Sequence, residues 1–383
     1  MEKCALGMDN GEIKPKNKNK NKNKKHIERF IYIPIIHMNK IEAGEKLDFQ
    51  HVLIRPKRST INSRSCVDLE REFTFRYSKY TWKGVPVISA NMDTTGTLEV
   101  YETLSKHKIV TALHKFYTLQ DLIDYKETHI LDPDYFMIST GIHEHDFERL
   151  IAIFTHIDCK WICIDVANGY MDNLTQFCRK VRNFFPDKII VAGNVVTREV
   201  VEELILNGQV DVVKAGIGGG SSCTTRLKTG VGMPQLSSIL ECADAAHGVD
   251  GHLISDGGIT CPGDMAKAFG AGADFVMVGG QFAGHDQNPG EIIEEDGKYY
   301  KTFYGMSSHK AQETHYGVIN TYRSSEGRVI KIPYKGDLTN TVLDYLGGLR
   351  STCTYINAKT IKQLPKCTTF VRVSQQVNNF FGG

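Results

Sequence analysis

The amino-acid sequence predicts a (β/α)8 TIM barrel, and three observations lead to this prediction. Eight short β-branched runs recur along the chain, most of them roughly 20 to 30 residues apart, the length of one βα unit. A polar or glycine turn and a stretch with helical spacing follow each run. Strands that alternate with helices in this way favour a closed barrel over an open doubly wound sheet. The runs begin at Val85, Lys108, Tyr135, Trp161, Lys188, Val210, His252 and Asp274.

The helical stretches carry boundary signals of their own. REVVEELILNG has acidic residues near its start and ends at Gly208, while CPGDMAKAFGAG has Pro262 at a first-turn position and Gly270 just past its predicted end. HEHD, residues 143–146, has no partner ligands at a metal-binding spacing, and we interpret it as a solvated loop.

Two segments interrupt the regular spacing. The gap between the sixth and seventh runs is about twice the usual length, and a segment of about 284–336, rich in glycine, serine and charge, follows the eighth run. Both come after the carboxyl ends of predicted strands, where barrel enzymes have their active sites. We therefore expect a catalytic loop and a mobile flap in these two segments.

Composition excludes several classes of protein. The chain has 383 residues and a formal net charge of +2, which gives no reason to expect nucleic acid or a membrane as its partner. Its longest apolar runs are too short to cross a bilayer. Its ten cysteines are scattered without a dense disulfide pattern, which indicates a cytoplasmic protein. Residues 1–40 form a Lys/Asn-rich extension that we expect to be disordered, and residues 41–383 form the barrel domain.

The loop after the sixth run ends in a cysteine. GIGGGSSCTTR places Cys223 after four glycines and two serines. Glycines cost conformational entropy and bury nothing, so this many indicate that the backbone approaches a ligand closely. Exposed backbone N–H groups favour the thiolate form of a nearby cysteine, and we expect the guanidinium of Arg226 to favour it further. The pattern predicts a nucleophilic cysteine.

Paired glycines follow the seventh and eighth runs, in SDGG and VGG. Such pairs expose backbone N–H groups at the place where barrels bind phosphate. Asp256 stands beside them and suits a ribose diol, so we expect a nucleoside monophosphate as ligand. GIGGGS is not a dinucleotide fingerprint, because serine holds the last position and no apolar helix follows it.

The order of these motifs resembles the IMP dehydrogenase/GMP reductase family. The resemblance extends from about Asp48 to about Val373, and within the family the chain is similar to the reductase branch. It has no room for the regulatory insertion of the dehydrogenases, and Glu326 stands in the flap where reductases have their acid. Two positions depart from the family: Gly219 replaces a usual proline, which predicts a more flexible loop, and Ser222 replaces an aliphatic residue. The matching segments are HVLIRPKRST, SANMDTTGT, GIGGGSSCTTRLKTGVGMPQ, ECADAAHG, SDGG, AKAFGAGADFVMVGG, FYGMSS and TTFVRV.

The resemblance implies that GMP is converted to IMP and ammonia with NADPH. It makes Cys223 the nucleophile and makes Thr225 and Glu326 its proton-transfer pair. It also implies a homotetramer and a potassium ion held by carbonyls of Gly218, Gly220, Cys223 and Arg226. The implied substrate contacts are Asp256, Gly257, Gly258, Gly279, Gly280, Gly305, Met306, Ser307, Arg323, Ser324, Ser325 and Gly327. The implied cofactor contacts are Ser63, Arg64, Lys115, Asp165, Val166, Ala167, Ile217, Gly218, Met306, Tyr322 and Arg323, with Ser351, Thr352, Cys353 and Thr354 coming from a neighbouring subunit or a nearby tail.

Two other functions compete with this interpretation. One is an IMP dehydrogenase that oxidises IMP to XMP with NAD. The other is a catalytically silent nucleotide-binding scaffold whose basic extension recruits RNA. The presence of Cys223, Thr225 and Glu326 together argues against the scaffold, because binding alone requires none of them.

Overall fold

The computed structural model describes residues 40–317 and 324–374. The chain divides into a unit of residues 1–45 and a unit of residues 46–383, and the elements below belong to the second unit. The predicted extension, residues 1–40, lies almost entirely outside the described residues, so its disorder stays a prediction.

Three strands precede the barrel. Strand β1 (Val52–Ile54) pairs with a strand near the end of the chain. Strands β2 (Arg71–Thr74) and β3 (Thr81–Gly84) form an antiparallel hairpin. The sequence pattern did not predict this hairpin, because the hairpin is not one of the repeating βα units from which the strands were predicted.

Within the described residues, eight parallel strands close into a barrel, in the order β10-β11-β4-β5-β6-β7-β8-β9. Each predicted run contains one of them, so all eight predictions are confirmed. Their buried β-branched residues fill the barrel interior, as in other packed barrels. The strands are β4 (Val87–Ser89), β5 (Val110–Leu113), β6 (Phe136–Thr140), β7 (Trp161–Asp165), β8 (Ile189–Val195), β9 (Val212–Ala215), β10 (His252–Asp256) and β11 (Phe275–Val278).

Helices connect successive barrel strands. Capping side chains begin several of them: the Thr97 hydroxyl accepts from the backbone N–H of Val100, and Thr118 forms a capping box with Asp121. The connecting helices are α1 (Leu98–Ser105), α2 (Leu119–Thr128), α3 (Glu144–His156), α4 (Asp172–Phe184), α5 (Arg198–Leu206), α6 (Thr225–Thr229), α7 (Gln235–Gly248) and α8 (Pro262–Gly270).

Two local predictions need correction. Residues 143–146 are not a loop: His143 is the N-cap residue of α3, and the next three residues form its first turn. Residues 143–145 are exposed as expected, whereas Asp146 is buried and its carboxylate accepts from the His143 backbone N–H at 2.9 Å. Gly270 is the last residue of α8 rather than the residue after it, whereas Pro262 does begin that helix.

The segment after β11 has secondary structure that the sequence pattern did not predict. A three-stranded antiparallel sheet contains β12 (Ile293–Glu295), β13 (Lys298–Tyr304) and β14 (Val329–Pro333), and α9 (His309–Tyr316) lies between the last two. The chain ends its described part with α10 (Leu338–Ile356), α11 (Leu364–Cys367) and β15 (Phe370–Arg372), which pairs with β1.

Aromatic side chains of the β2–β3 hairpin close the amino end of the barrel. The ring of Phe73 stacks on that of Phe275 at 4.4 Å, and Trp82 contacts Trp161 edge to face at 5.7 Å. Phe275 and Trp161 are the first residues of β11 and β7. The carboxyl end is therefore left for the functional loops.

A buried carboxylate ties the hairpin to the same end. Asp274 is 1% exposed, and its oxygens lie 2.8 Å from the guanidinium of Arg71 and 2.8 Å from the His247 ring. Burial acts to raise the pKa of Asp274, but hydrogen bonds from His247 and His252 outweigh it and hold that pKa well below its usual range.

We expect Asp274→Asn to lower the free energy of unfolding by about 3–5 kcal/mol, because it leaves Arg71 without its buried partner. Urea denaturation measures the change. Asp158→Asn is the control: that side chain is 61% exposed beside Lys160, so about 1 kcal/mol or less is expected. Equal losses in the two variants would contradict the prediction.

The pair of Asp274 and His247 makes the free energy of unfolding depend on pH in two opposite directions. Folding lowers the pKa of Asp274. The stability that Asp274 contributes is therefore present above its unfolded-state pKa and is lost as the pH falls through its folded-state pKa. Folding raises the pKa of His247, mainly through its hydrogen bond to Asp274, so the stability that His247 contributes is present below its unfolded-state pKa and is lost as the pH rises through its folded-state pKa.

Candidate active site

The loops after β9, β10 and β11 meet backbone to backbone. The N–H of Gly258 donates to the carbonyl of Gly219 at 2.9 Å. A Cβ on Gly216 would lie 1.9 Å from the Asp256 carbonyl oxygen, and a Cβ on Gly280 would lie 2.6 Å from the Ser221 hydroxyl. The glycines are therefore needed because neighbouring loops occupy the space of a side chain.

Cys223 heads a chain of hydrogen bonds in this cluster. Its thiol donates to the Thr225 hydroxyl at 3.1 Å, and that hydroxyl donates to the Glu326 carboxylate at 2.7 Å. Thr225 is the first residue of α6, which places its side chain beside the thiol. The arrangement joins a nucleophile to a group that can exchange protons.

The flap, defined here by its described residues 324–328, pairs with the cysteine loop. Cys223 and Gly327 form an antiparallel bridge, the N–H of Thr224 donates to the Glu326 carbonyl at 2.8 Å, and the N–H of Arg328 donates to the Ser222 carbonyl at 2.9 Å. This pairing delivers the Glu326 side chain to Thr225.

Arg328 adds a second connection between flap and loop, and the sequence analysis did not assign it. Its guanidinium donates to the Ser221 carbonyl from Nη2 at 2.8 Å and from Nε at 3.2 Å. On the other side of the flap, the Ser325 hydroxyl donates to the Ser307 carbonyl at 3.2 Å. Three segments, after β9, after β13 and in the flap, thus meet at Cys223.

A buried lysine lies below the loops. Lys214 of β9 is 1% exposed, and its ammonium contacts the carboxylates of Asp165 and Asp256, the latter at 3.3 Å. Asn194 donates to the same Asp256 oxygen at 2.9 Å. Burial acts to raise the pKa of Asp165, but the Lys214 charge outweighs it and holds that pKa below its usual value. A lysine within the apolar run VDVVKAG was the signal that could have revealed this group.

Two cysteines of the barrel strands and their approaches, Cys159 and Cys163, differ from Cys223. Cys159 and Cys163 are fully buried, and burial raises the pKa of each thiol to about 12. Cys223 is half-buried and its sulfur reaches a polar partner. Among these three thiols, only that of Cys223 combines access with a proton-transfer partner.

The structure brings most of the predicted substrate contacts together. Asp256 ends β10, Gly257 and Gly258 follow it and contact Gly219, and Gly279 and Gly280 follow β11. Gly305 lies against Gly327 and Ser222. Arg323 lies outside the described residues. The described members of the predicted set, in the strand ends and loops at this end of the barrel and in the flap, are Asp256, Gly257, Gly258, Gly279, Gly280, Gly305, Met306, Ser307, Ser324, Ser325 and Gly327.

One part of the predicted cofactor set lies at the same end of the barrel. Lys115 follows β5, Asp165 ends β7, and Ile217 follows β9. The Met306 sulfur accepts from the N–H of Asp93 at 3.3 Å. Tyr322 and Arg323 lie outside the described residues. The members at this end are Lys115, Asp165, Val166, Ala167, Ile217, Gly218 and Met306.

The other part does not join them within one chain. Ser63 caps the short 3-10 helix of Arg64–Cys66, which packs against α10, and residues 351–354 lie in the last turns of α10. Arg350, just before them, lines a cavity of about 260 Å3 with Val85 and Lys108. Those two residues precede β4 and β5, so this group lies toward the amino end of the barrel.

The Arg226 side chain requires a correction. Its guanidinium lies 3.2 Å from the Asp48 carboxylate and donates to the Met233 carbonyl at 2.6 Å. It therefore ties α6 to the segment before β1 rather than supporting the Cys223 thiolate.

Two features are absent from the described residues, a cluster of metal-binding side chains and a helix that could span a membrane. Residues 40–317 and 324–374 contain no cluster of three or more histidine, cysteine or acidic side chains suited to a metal ion. Over the same ranges, no helix is both long and apolar enough to cross a membrane.

Comparison with known proteins gives consistent results. The family model for the IMP dehydrogenase / GMP reductase domain matches residues 46–379. GMP reductase 1 of Mus musculus is 56% identical over 346 residues, which cover 90% of this chain and 100% of the relative. GMP reductase of Caenorhabditis elegans is 55% identical over 348 residues, covering 90% and 96%. GMP reductase of Vibrio vulnificus (strain YJ016) is 54% identical over 345 residues, covering 90% and 99%.

Two glycines of the cysteine loop should respond differently to alanine. Gly216 has φ +152°, and its Cβ would collide with Asp256, so Gly216→Ala should cost more than about 1–3 kcal/mol of stability. Gly219 lacks a left-handed φ, and the nearest atoms to its Cβ would lie at 3.4 Å. Gly219→Ala should therefore change stability by less than about 1 kcal/mol. Thermal unfolding of both variants measures this, and equal destabilisation would refute it.

Proposed function

The chain belongs to the IMP dehydrogenase/GMP reductase family, and we propose that it catalyses the NADPH-dependent reductive deamination of GMP to IMP and ammonia. The observation that carries the proposal is the hydrogen-bonded chain of Cys223, Thr225 and Glu326. A nucleophile and a proton-transfer pair in contact are what displacement of an amino group requires.

Cys223 is the proposed nucleophile. Its thiolate attacks C2 of the guanine ring and forms an S–C2 bond, after which the bond from C2 to the exocyclic nitrogen breaks. Covalent catalysis of this kind divides one difficult displacement into two steps. NADPH supplies the hydride that C2 then accepts. The S–C2 bond breaks last, which releases IMP and regenerates the thiolate.

Thr225 and Glu326 are the proposed source of the proton for the leaving amino group. The exocyclic amino group at C2 leaves poorly unless it is protonated, and the Thr225 hydroxyl alone is too weak an acid to protonate it. As the Cys223 thiolate forms, the thiol proton can pass through the Thr225 hydroxyl to the Glu326 carboxylate, which lies 2.7 Å from that hydroxyl. The resulting carboxyl can then return this proton through the hydroxyl to the nitrogen. Flap closure would then complete the catalytic group, because the flap carries Glu326.

The nucleotide is proposed to bind where the glycine loops meet. Asp256, whose side chain is 23% exposed, would accept hydrogen bonds from the ribose diol. The backbone N–H groups after β10 and β11 would bind the phosphate, as glycine turns at this end of a barrel can. The remaining predicted substrate contacts, including Ser307 and Ser325, would close over the nucleotide.

The cofactor site is proposed to require two chains. Asp165 and Lys115 offer a carboxylate and an ammonium at the carboxyl end of the barrel, which suits a ribose and a phosphate. Ser63, Arg64 and residues 351–354 lie toward the amino end, so a neighbouring chain would have to supply them. This arrangement supports an oligomer, and we propose the homotetramer that the family resemblance implies. We propose a cytoplasmic location from the scattered cysteines.

Potassium is proposed to bind the cysteine loop through carbonyl oxygens, which suit a hard cation. The donors are those of Gly218, Gly220, Cys223 and Arg226. The Gly220 carbonyl accepts from the Cys223 N–H at 3.1 Å and that of Arg226 from the Gly230 N–H at 3.2 Å. Each of these oxygens keeps a second lone pair for a cation.

The function is tested by two parallel assays of the full chain. With GMP, NADPH absorbance should fall and ammonia should appear in equal amount, whereas IMP with NAD should give no NADH. Cys223→Ser should abolish turnover but leave GMP affinity nearly unchanged, because ribose and phosphate contacts lie elsewhere. Mass spectrometry of the wild type should find a purine adduct on Cys223. NADH formed from IMP, or an adduct on another cysteine, would overturn the assignment.

Glu326→Gln should reduce kcat by roughly 10²–10⁴-fold and change GMP affinity far less, because the amide keeps the shape but cannot supply the proton. Steady-state kinetics measure both quantities. Glu313→Gln is the matched control, since Glu313 is an exposed acid on α9 of the same segment. Turnover of Glu326→Gln within about threefold of wild type would show that Glu326 is not the acid.

A further inference from the structure

We propose that Lys214 is a positioning residue that holds the GMP site and the NADPH site in register with each other. Its ammonium orients two carboxylates, those of Asp256 and Asp165, each of which is assigned to a different ribose. The inference rests on the proposed function, because that function assigns the two carboxylates to their ligands.

The barrel is built so that these side chains can meet. Lys214 of β9 is in register with Gly193 of β8, and Gly193 is in register with Asp165 of β7. A Cβ on Gly193 would lie 2.7 Å from the Lys214 Cβ and 2.5 Å from its carbonyl oxygen. The strand between them therefore leaves the space through which the ammonium reaches Asp165. On its other side β9 pairs with β10, which ends at Asp256.

Exposure separates the roles of the three groups. The Lys214 side chain is 1% exposed, whereas those of Asp165 and Asp256 are 37% and 23% exposed. The carboxylates can therefore contact a ligand while the ammonium cannot. Asn194 supports the same arrangement from β8, because its amide donates to Asp256 at 2.9 Å and to the Gly216 carbonyl at 2.8 Å.

Stability alone does not account for a cation in this position. Burying an ammonium is costly, and an apolar side chain of similar volume is often neutral or stabilising in its place. The neighbours of Lys214 in β9 are buried valines and an alanine, so methionine would fit the strand. A buried lysine here indicates a requirement of the site rather than of the barrel.

Removing the ammonium should leave two like charges facing each other. Asp165 faces Lys214, Asn91 and Lys115, and Asp256 faces Lys214 and Asn194. Cys163 also lies near Lys214, but burial raises the pKa of that thiol to about 12, so it stays neutral. Without Lys214 no buried cation lies between the two carboxylates, and their repulsion displaces them from the positions in which each would bind a ribose.

The test compares Lys214→Met, Lys214→Arg and Arg182→Met with the full-length wild type. Arg182 is the matched control: its side chain is 5% exposed and pairs with Asp211, which precedes β9 at the other end of the barrel. Calorimetry gives the Kd of GMP and of NADPH, and steady-state assays give kcat and KM. The binding measurements need no turnover. If the wild-type protein binds GMP and NADPH but does not reduce GMP, the proposed function is contradicted, whereas the inference about Lys214 is still decided by the Kd values.

Lys214→Met should raise the Kd of both ligands by at least about tenfold, the effect of losing one charge-assisted hydrogen bond, and lower kcat less. Lys214→Arg keeps the charge but not the compact ammonium, so its Kd values should lie between those of wild type and those of Lys214→Met.

Two results would overturn the proposal. One is a Kd for both ligands within about twofold of wild type in Lys214→Met. The other is an equal loss in Arg182→Met, which would indicate general destabilisation. Where Lys214→Met does not fold, the double variant Lys214→Met/Asp165→Asn takes its place, because it loses one carboxylate together with the ammonium and so keeps the net charge of the cluster. The GMP Kd of this double variant should exceed that of the single variant Asp165→Asn by about tenfold. Equal GMP affinity in those two variants would also refute the proposal.

Discussion

The site depends on the antiparallel pairing between residues 222–224 and residues 326–328. Backbone hydrogen bonds on both sides of the Cys223–Gly327 bridge fix the register of the two segments. A shift of one residue would turn the Glu326 side chain to the opposite face, away from Thr225. The proton-transfer pair is therefore positioned by main-chain geometry, and Arg328 reinforces it by holding the Ser221 carbonyl. The side chains supply chemistry that the backbone has already aligned.

Glycines in two places keep that alignment possible, because each leaves space that a side chain would fill. Glycines such as Gly216 and Gly280 let three loops approach closely, because any side chain would meet a neighbouring loop. Gly193 has the same effect inside the barrel, where it leaves room for Lys214 to reach Asp165. The loops and the barrel floor are thus packed against each other, and a change in either would move the groups around Cys223.

Much of the barrel was predictable from the sequence because its βα units repeat. Each β-branched run became a strand, and Pro262 marked the start of α8 as expected. The β2–β3 hairpin and the three-stranded sheet were missed, since neither has a repeat and the sheet strands are interrupted by α9. Cys223 was identified from its glycine-rich surroundings, but the partners of Arg226 and the roles of Lys214 and Arg328 depend on contacts between segments far apart in the chain.

The aromatic closure of the amino end has a kinetic consequence. Phe73 and Trp82 close that end, and the flap pairs with the cysteine loop that follows β9 at the carboxyl end. In the proposed reaction GMP, IMP and ammonia would enter and leave at the carboxyl end, and each cycle would break and remake the flap pairing. The rate at which the paired flap opens would then limit turnover, however fast the bond-making steps are.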